Sequence, residues 1–202
     1  MPPIDIPHVD AVARSEWRIL DVGCGNHPYR RANVCVDSAT DQKRALVEHG
    51  VGVWHDFGLG QEFVKADVCD RLPFGDGEFD LAICRNVLEH VEDPEAACRE
   101  LSRVARLKYI ETPSVAAEMI FNTGFHKWLV ALCDGVLVFR PKPKTAFWTA
   151  PFEFCGERIH ADDKWWGHVT APLREHLEWA GQCRVWLLRE GEVVGRVEAD
   201  DA

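Results

Sequence analysis

Arg18–Pro28 reads RILDVGCGNHP, and its reading decides the fold. Ile19, Leu20 and Val22 form a short apolar run that stops at Gly23 and Gly25. A run of this kind, ended by paired glycines, is expected as a strand buried on both faces and followed by a tight loop. Glycine permits backbone conformations closed to other residues, and it lets a ligand approach the main chain with no side chain between them. At the carboxyl end of a parallel strand, such a loop faces the crevice where open α/β sheets bind nucleotides. A glycine turn after a strand also occurs as plain structure, so the order of the following segments carries the weight.

Working outward, a second strand at 33–36 ends in Asp37 and a third at 62–66 ends in Asp67. A fourth at 79–84 leads into NVLEHVEDP, Asn86 to Pro94. The pieces LDVGCG, VCVDSA, ADVCDRLPFGDGEFDLAICRNVLEHVEDP and RELSRVARLKYIETPS lie within positions 17 to 114. In combination they resemble the class I S-adenosylmethionine-dependent methyltransferases, particularly the small type 11 group. The resemblance implies a Rossmann-like open α/β sheet, mostly parallel with an antiparallel last strand. It implies S-adenosyl-L-methionine as cofactor. It also implies that Asp37 binds the two ribose hydroxyls, that Asp67 accepts from the adenine amino group, and that Val68 packs on the ring. Asp21, Gly23, Cys24, Gly25, Ser38, Arg85 and Asn86 complete the expected cofactor-binding set. Asp37 has a second reading as the N-cap of a helix near 40–49, ended by Gly50, and Asp67 has one as a turn aspartate.

The chain departs from that pattern early. Between Gly25 and Asn33 stand only NHPYRRA, with Pro28 among them and His27 where the family often has a third glycine. A parallel crossover ordinarily takes about a dozen residues, usually a helix. The first crossover helix is therefore expected to be degraded or missing, leaving the crevice more open on one side. The other reading is that Pro28 and Tyr29 fill the gap by packing.

Several further elements are expected. A short helix covers 9–17. Asp93-Pro94 starts a helix with Ala97, Leu101 and Val104 on one face and Arg99, Arg103 and Arg106 elsewhere, read as a solvated face. Another helix covers 115–121. Asp134-Gly135 and Glu190-Gly191-Glu192 each centre a hairpin. A helix at 171–180 is stopped by Gly181.

After Ser114 the family pattern fades. The span 121–166 is dense in aromatic residues and histidines. His126, Trp128 and Trp165 are read as part of a lid or platform for an apolar, aromatic or sugar-like acceptor. A second small core under long loops accounts for them equally well. For a hydroxyl acceptor, His90 is the general base best placed by sequence. Its other reading is a histidine that holds the loop after the fourth strand by hydrogen bonds. Some relatives bind a divalent metal through an E-x-x-E-H run. Here Asn86 occupies the first position and only Glu89 and His90 remain, so no metal is expected.

Composition sets the outer bounds. The 202 residues are 47% hydrophobic, enough for a full core, and 33 acids against 23 bases give a net charge of −10. Nucleic-acid backbones repel such a surface, so no nucleic-acid partner is expected. No apolar run approaches the ~18 residues of a membrane span, and MPPIDIPHVD lacks signal-peptide features. The eight cysteines include no C-x-x-C pair, which points to reduced thiols and a cytoplasmic location. There is no G-x-S-x-G elbow and no phosphate loop.

The expected organisation is a single domain, with 1–113 the cofactor-binding core, 114–168 an acceptor-side insertion and 169–202 a closing helix and hairpin. The expected function is methyl transfer to a small-molecule or glycan-type acceptor. A non-catalytic relative acting as a partner protein is the reading from a different class. A nicotinamide-linked oxidoreductase leaves the LPF…LEHVEDP block without a place.

Overall fold

The structure is a computed structural model. It describes residues 3–38, 56, 58–115, 117–118, 123–133 and 136–142, and the backbone of 174–180, 185–189 and 192–197. The expected helix at 40–49 and most of the aromatic-rich span, Trp165 included, lie outside the described residues.

The glycine-ended run is β1 (Ile19–Val22), and all four of its residues are buried. β2 (Val34–Asp37), β3 (Glu62–Lys65), β4 (Phe79–Arg85) and β5 (Ala105–Pro113) follow, all parallel to their neighbours, in the order β3-β2-β1-β4-β5. β8 (Arg174–Ala180) closes that sheet antiparallel on β5, with Leu107 opposite Ala180 and Pro113 opposite Arg174. This is the expected Rossmann-like sheet: central strands apolar on both faces, edge strand β3 half exposed.

β8 corrects one expectation. Residues 174–180 are a strand, not part of a helix. The sequence REHLEWA contains good helix formers, but the exposed ladder of β5 offers seven paired positions, and pairing overrides a weak propensity. Leu177 and Trp179 alternate with His176 and Glu178, the period of a strand.

A second sheet has the order β10-β9-β7-β6. Its members are β6 (Trp128–Cys133), β7 (Val136–Pro141), β9 (Val185–Arg189) and β10 (Glu192–Val197). β6 and β7 pair antiparallel around 134–135, and β9 and β10 pair antiparallel with a bulge between Val193 and Gly195, so both expected hairpins are present. The closing hairpin joins β7 rather than the main sheet.

The two faces of the main sheet carry two apolar clusters. On one, Leu20, Val22, Val36, Ala82, Cys84 and Ile110 pack with Ala97, Leu101 and Val104 of α2 (Pro94–Val104) and with Val130, Leu137 and Phe139 of the β6–β7 hairpin. That hairpin is thus part of the core. Asp93 caps α2 by accepting from the Ala96 N–H at 2.9 Å, and Pro94 sits in the first turn, as expected.

On the other face, Ile19, Cys35, Leu81, Ile83 and Tyr109 pack with Ile6 and Val9 from the chain start and with Tyr29. α1 spans Pro7–Val12, shorter and earlier than expected. No helix occupies the first crossover, and Tyr29 fills the gap. It is fully buried, its N–H donates to Asp21 Oδ2 at 2.6 Å, and its hydroxyl donates to Asp10 Oδ1 at 2.5 Å. Ile4 bridges to Tyr29 in parallel, bringing α1 over the same face. The gap is thus filled by packing, the second of the two readings of this crossover.

Arg103 also departs from expectation. Its guanidinium is largely buried and donates to Glu100, to Asp76 and to the carbonyls of Leu72 and Phe74, while Glu100 accepts from the Leu72 N–H at 2.7 Å. It fixes the LPFGDG loop to α2, leaving Arg99 and Arg106 as the solvated arginines of the three.

Candidate active site

The carboxyl ends of β1, β2 and β4 bring most of the expected cofactor residues together. Gly23 and Gly25 have φ of 67° and 51°, in the left-handed region that glycine enters without strain. The Gly23 N–H donates to the Val36 carbonyl at 2.7 Å and the Gly25 N–H to Asp37 Oδ2 at 2.9 Å. The loop is therefore pinned to the end of β2. Alternation along the strands puts Asp21, Asp37 and Arg85 on one face of the sheet. Cys24 and Val68 are buried.

Asp21 sits at the centre. Burial pushes its carboxyl up to about 6, against the pull of Arg85 and of the Tyr29 N–H. Arg85 reaches back across the loop, its Nη2 3.4 Å from the His27 carbonyl. Its Nε is buried and has no hydrogen-bond partner among the described residues. Asn86, next along, is the non-glycine residue with positive φ among those described, at 53°, and its N–H donates to the Glu111 carbonyl at 2.8 Å. That strained turn swings the chain off β4 toward Val87. Val87 packs directly on the glycine loop: a Cβ built on Gly23 would lie 2.1 Å from Val87 Cγ2.

Asp67 and Ser38 lie at the rim, both exposed. Asp67 Oδ1 accepts from the Cys69 N–H at 2.9 Å, the turn role that was its other reading. A carboxylate retains further acceptor positions.

Beyond Val87 the loop enters a second polar group. His90 Nε2 is 3.7 Å from Glu89 Oε1. The His90 ring stacks on Phe125 at 5.4 Å and meets the His126 ring edge-on at 4.6 Å. Nδ1 of His126 forms a short hydrogen bond to Glu118, whose other oxygen accepts from Lys142 Nζ at 2.8 Å. Burial raises the Glu118 carboxyl, but His126 and Lys142 outweigh it and hold the group below its usual range. The segment bearing His126 is braced to the loop: the Lys127 and Trp128 N–H groups both donate to the Glu89 carbonyl, at 2.7 and 3.2 Å. His90 and His126, expected on separate grounds, are thus neighbours.

Trp128 stands differently. Its indole N–H donates to the Val91 carbonyl at 2.8 Å, and its ring meets Phe139 edge-on at 6.4 Å, packed against the core. It anchors the hairpin. Glu118 and Lys142 were not singled out from the sequence. The available signal was Glu118 itself, the lone acid in the apolar run VAAEMIF.

A family model described as a methyltransferase domain matches residues 20–108. The chain is 30% identical over 103 residues to the uncharacterized methyltransferase YcgJ of Bacillus subtilis, covering 48% of this chain and 39% of that protein. It is 29% identical over 136 residues to a ubiquinone biosynthesis O-methyltransferase of Aromatoleum aromaticum, covering 63% of this chain and 53% of that protein. Among solved structures, YcgJ aligns with a TM-score of 0.39 at 25% identity, over 56% of this chain and 53% of that one. The chain spans about half the length of the curated relatives it matches.

Proposed function

We propose that the chain transfers a methyl group from S-adenosyl-L-methionine to a small-molecule acceptor, a reading supported by the match of residues 20–108 to a methyltransferase-domain family model. The observation that carries this reading is the buried Arg85 Nε without a partner, set at the end of β4 beside a glycine loop pinned to Asp37. An unsatisfied buried donor costs free energy, and a carboxylate from a ligand would satisfy it. The methionine half of the cofactor carries that carboxylate. Asp37 and Ser38 would face the ribose, and Asp67 and Val68 the adenine. Asp21 and Asn86 would line the middle of the crevice. The fit is one of donors and acceptors: guanidinium for carboxylate, carboxylate for vicinal hydroxyls, glycine backbone where no side chain intrudes.

The cofactor when bound supplies a methyl group already activated on sulfonium, so the chain's task is alignment. Tyr29, Asp37 and Val87 hold the glycine loop still for that purpose. A hydroxyl acceptor loses a proton as it is methylated. His90, which follows Val87 and stacks on Phe125, would receive it. A glycan-type acceptor fits the same arrangement as an apolar or aromatic alcohol. No described helix is long and apolar enough to cross a membrane. Most of the described cysteines are buried free thiols, which suits a cytoplasmic site of action.

Calorimetric titration with S-adenosylmethionine and S-adenosylhomocysteine tests the cofactor, and an acceptor screen with labelled methyl donor tests the reaction. Binding of neither compound would favour the non-catalytic partner reading.

A further inference from the structure

We propose that Glu89, His90 and His126 together hold a divalent transition-metal ion. Each offers one ligand atom, and the three atoms lie within 4.8 Å of one another. The third ligand comes from a segment far along the chain, which is why the run from Asn86 to His90 does not disclose it.

Three observations make this a built site. First, the donor set is one carboxylate oxygen and two imidazole nitrogens. That combination suits zinc, iron(II), cobalt(II) or manganese(II) better than magnesium, which prefers oxygen throughout. Second, His126 is already oriented. Its Nδ1 is hydrogen-bonded to the Glu118 carboxyl group, which fixes the ring and leaves Nε2 for an ion. A carboxylate behind a histidine in this way is the usual outer support of a metal ligand. Lys142, 2.8 Å from the other Glu118 oxygen and 2.6 Å from the Thr123 carbonyl, balances the charge of that support and leaves the charge of Glu89 for the ion. Third, the two ligand-bearing segments are tied together by the pair of N–H donors on the Glu89 carbonyl, so the ligands share one frame. Bond lengths near 2.0–2.1 Å put neighbouring ligand atoms about 3.3 Å apart around a tetrahedral ion. The 3.7 Å between Glu89 Oε1 and His90 Nε2 needs only a small rotation to reach that.

Ion binding stands apart from the methyl-transfer reading and would hold if that reading failed. With an ion bound, His90 Nε2 is a ligand and cannot take a proton, so the metal-loaded and metal-free proteins differ in how an acceptor is activated.

The test uses the untagged 202-residue chain, stripped with chelator and titrated with cobalt(II), zinc(II) and magnesium(II), read by calorimetry and, for cobalt, by visible absorption. The expected result is one equivalent of cobalt with visible bands, displaced by zinc, and magnesium at least about tenfold weaker. Glu89→Gln and His126→Ala should each lose at least about tenfold in affinity, and Glu118→Gln about ten- to hundredfold. Circular dichroism confirms the fold of each variant. If His126→Ala fails to fold, His90→Gln, on the more exposed ring, carries the same comparison. No cobalt bands in the wild-type protein, or unchanged affinity in the folded variants, overturns the site. S-Adenosylhomocysteine binding, measured on the same stripped protein, separates failure of the metal site from failure of the cofactor crevice.

Discussion

The carboxylate of Asp37 accepts the backbone N–H of Gly25 at 2.9 Å, so the end of β2 and the glycine loop after β1 form one unit. The residue that would receive ribose also fixes the loop on which the rest of the cofactor would lie. Asp37→Ala removes both contacts. Hydrogen bonds to a charged group contribute about 1.5–3 kcal/mol, which corresponds to a loss of roughly ten- to hundredfold in cofactor affinity. Asp37→Asn should lose less, because an amide oxygen can still accept from Gly25. Calorimetry with S-adenosylhomocysteine on both variants checks the order. Affinity within about twofold of wild type for Asp37→Ala would remove the ribose assignment.

Gly23 faces two constraints at once. Its φ of 67° disfavours any side chain, and an added Cβ would meet Val87 Cγ2 at 2.1 Å. Gly23→Ala must therefore displace the loop that carries Val87 and His90, at a cost of about 1–3 kcal/mol. Denaturant unfolding should show the destabilisation. Val87→Ala in the same background should recover part of it, because it relieves the contact though not the backbone strain.

Asp21 gives a pH dependence of definite sign. Its carboxyl is raised from 3.8 to about 6 in the folded chain, by burial first. The folded state therefore binds more protons than the unfolded state between those values. Stability from this group is full below about pH 4 and is lost as pH rises through 6. Asp21→Asn, which can still accept from the Tyr29 N–H, should remove that loss. Its advantage over wild type should appear as pH rises and level off near 2–3 kcal/mol at pH 7, at about 1.4 kcal/mol per pKa unit. Thermal unfolding of ligand-free protein from pH 4 to 7 reads it directly.

Arg103 ties α2 to the 72–76 loop through Glu100, Asp76 and two carbonyls. Arg103→Ala leaves the largely buried Glu100 without its cation and should cost about 1–3 kcal/mol of stability. Arg103→Lys should restore only part, since one ammonium cannot reproduce the forked contacts. Equal stability of Ala and Lys variants would mean the fork contributes nothing.

What could be read in the sequence was local. The strand–glycine–acid order from Ile19 to Asp37 and the Asp93-Pro94 cap are written in adjacent residues, and the structure has them where expected. The hairpin at 134–135 was legible for the same reason. What escaped was non-local. Whether REHLEWA becomes helix or strand depends on the open edge of β5, which lies far from it in sequence. The short first crossover could be read either as leaving the crevice more open or as a gap filled by Pro28 and Tyr29, and the packing of Tyr29 with Ile6 and Val9 is decided by segments apart in sequence. His126, Glu118 and Lys142 meet through three separate segments, so no spacing rule joins them. Trp128 reads equally as part of an acceptor platform or of a second small core until its indole N–H is seen on the Val91 carbonyl.

The most direct test of the account is calorimetric titration of the unmodified chain with S-adenosylhomocysteine, with a nicotinamide dinucleotide as control. The account predicts saturable one-to-one binding of S-adenosylhomocysteine, weakened when Arg85 is replaced by Met, and no binding of the dinucleotide. Absence of S-adenosylhomocysteine binding up to about 1 mM, where an affinity of only about 4 kcal/mol would still register, would contradict it.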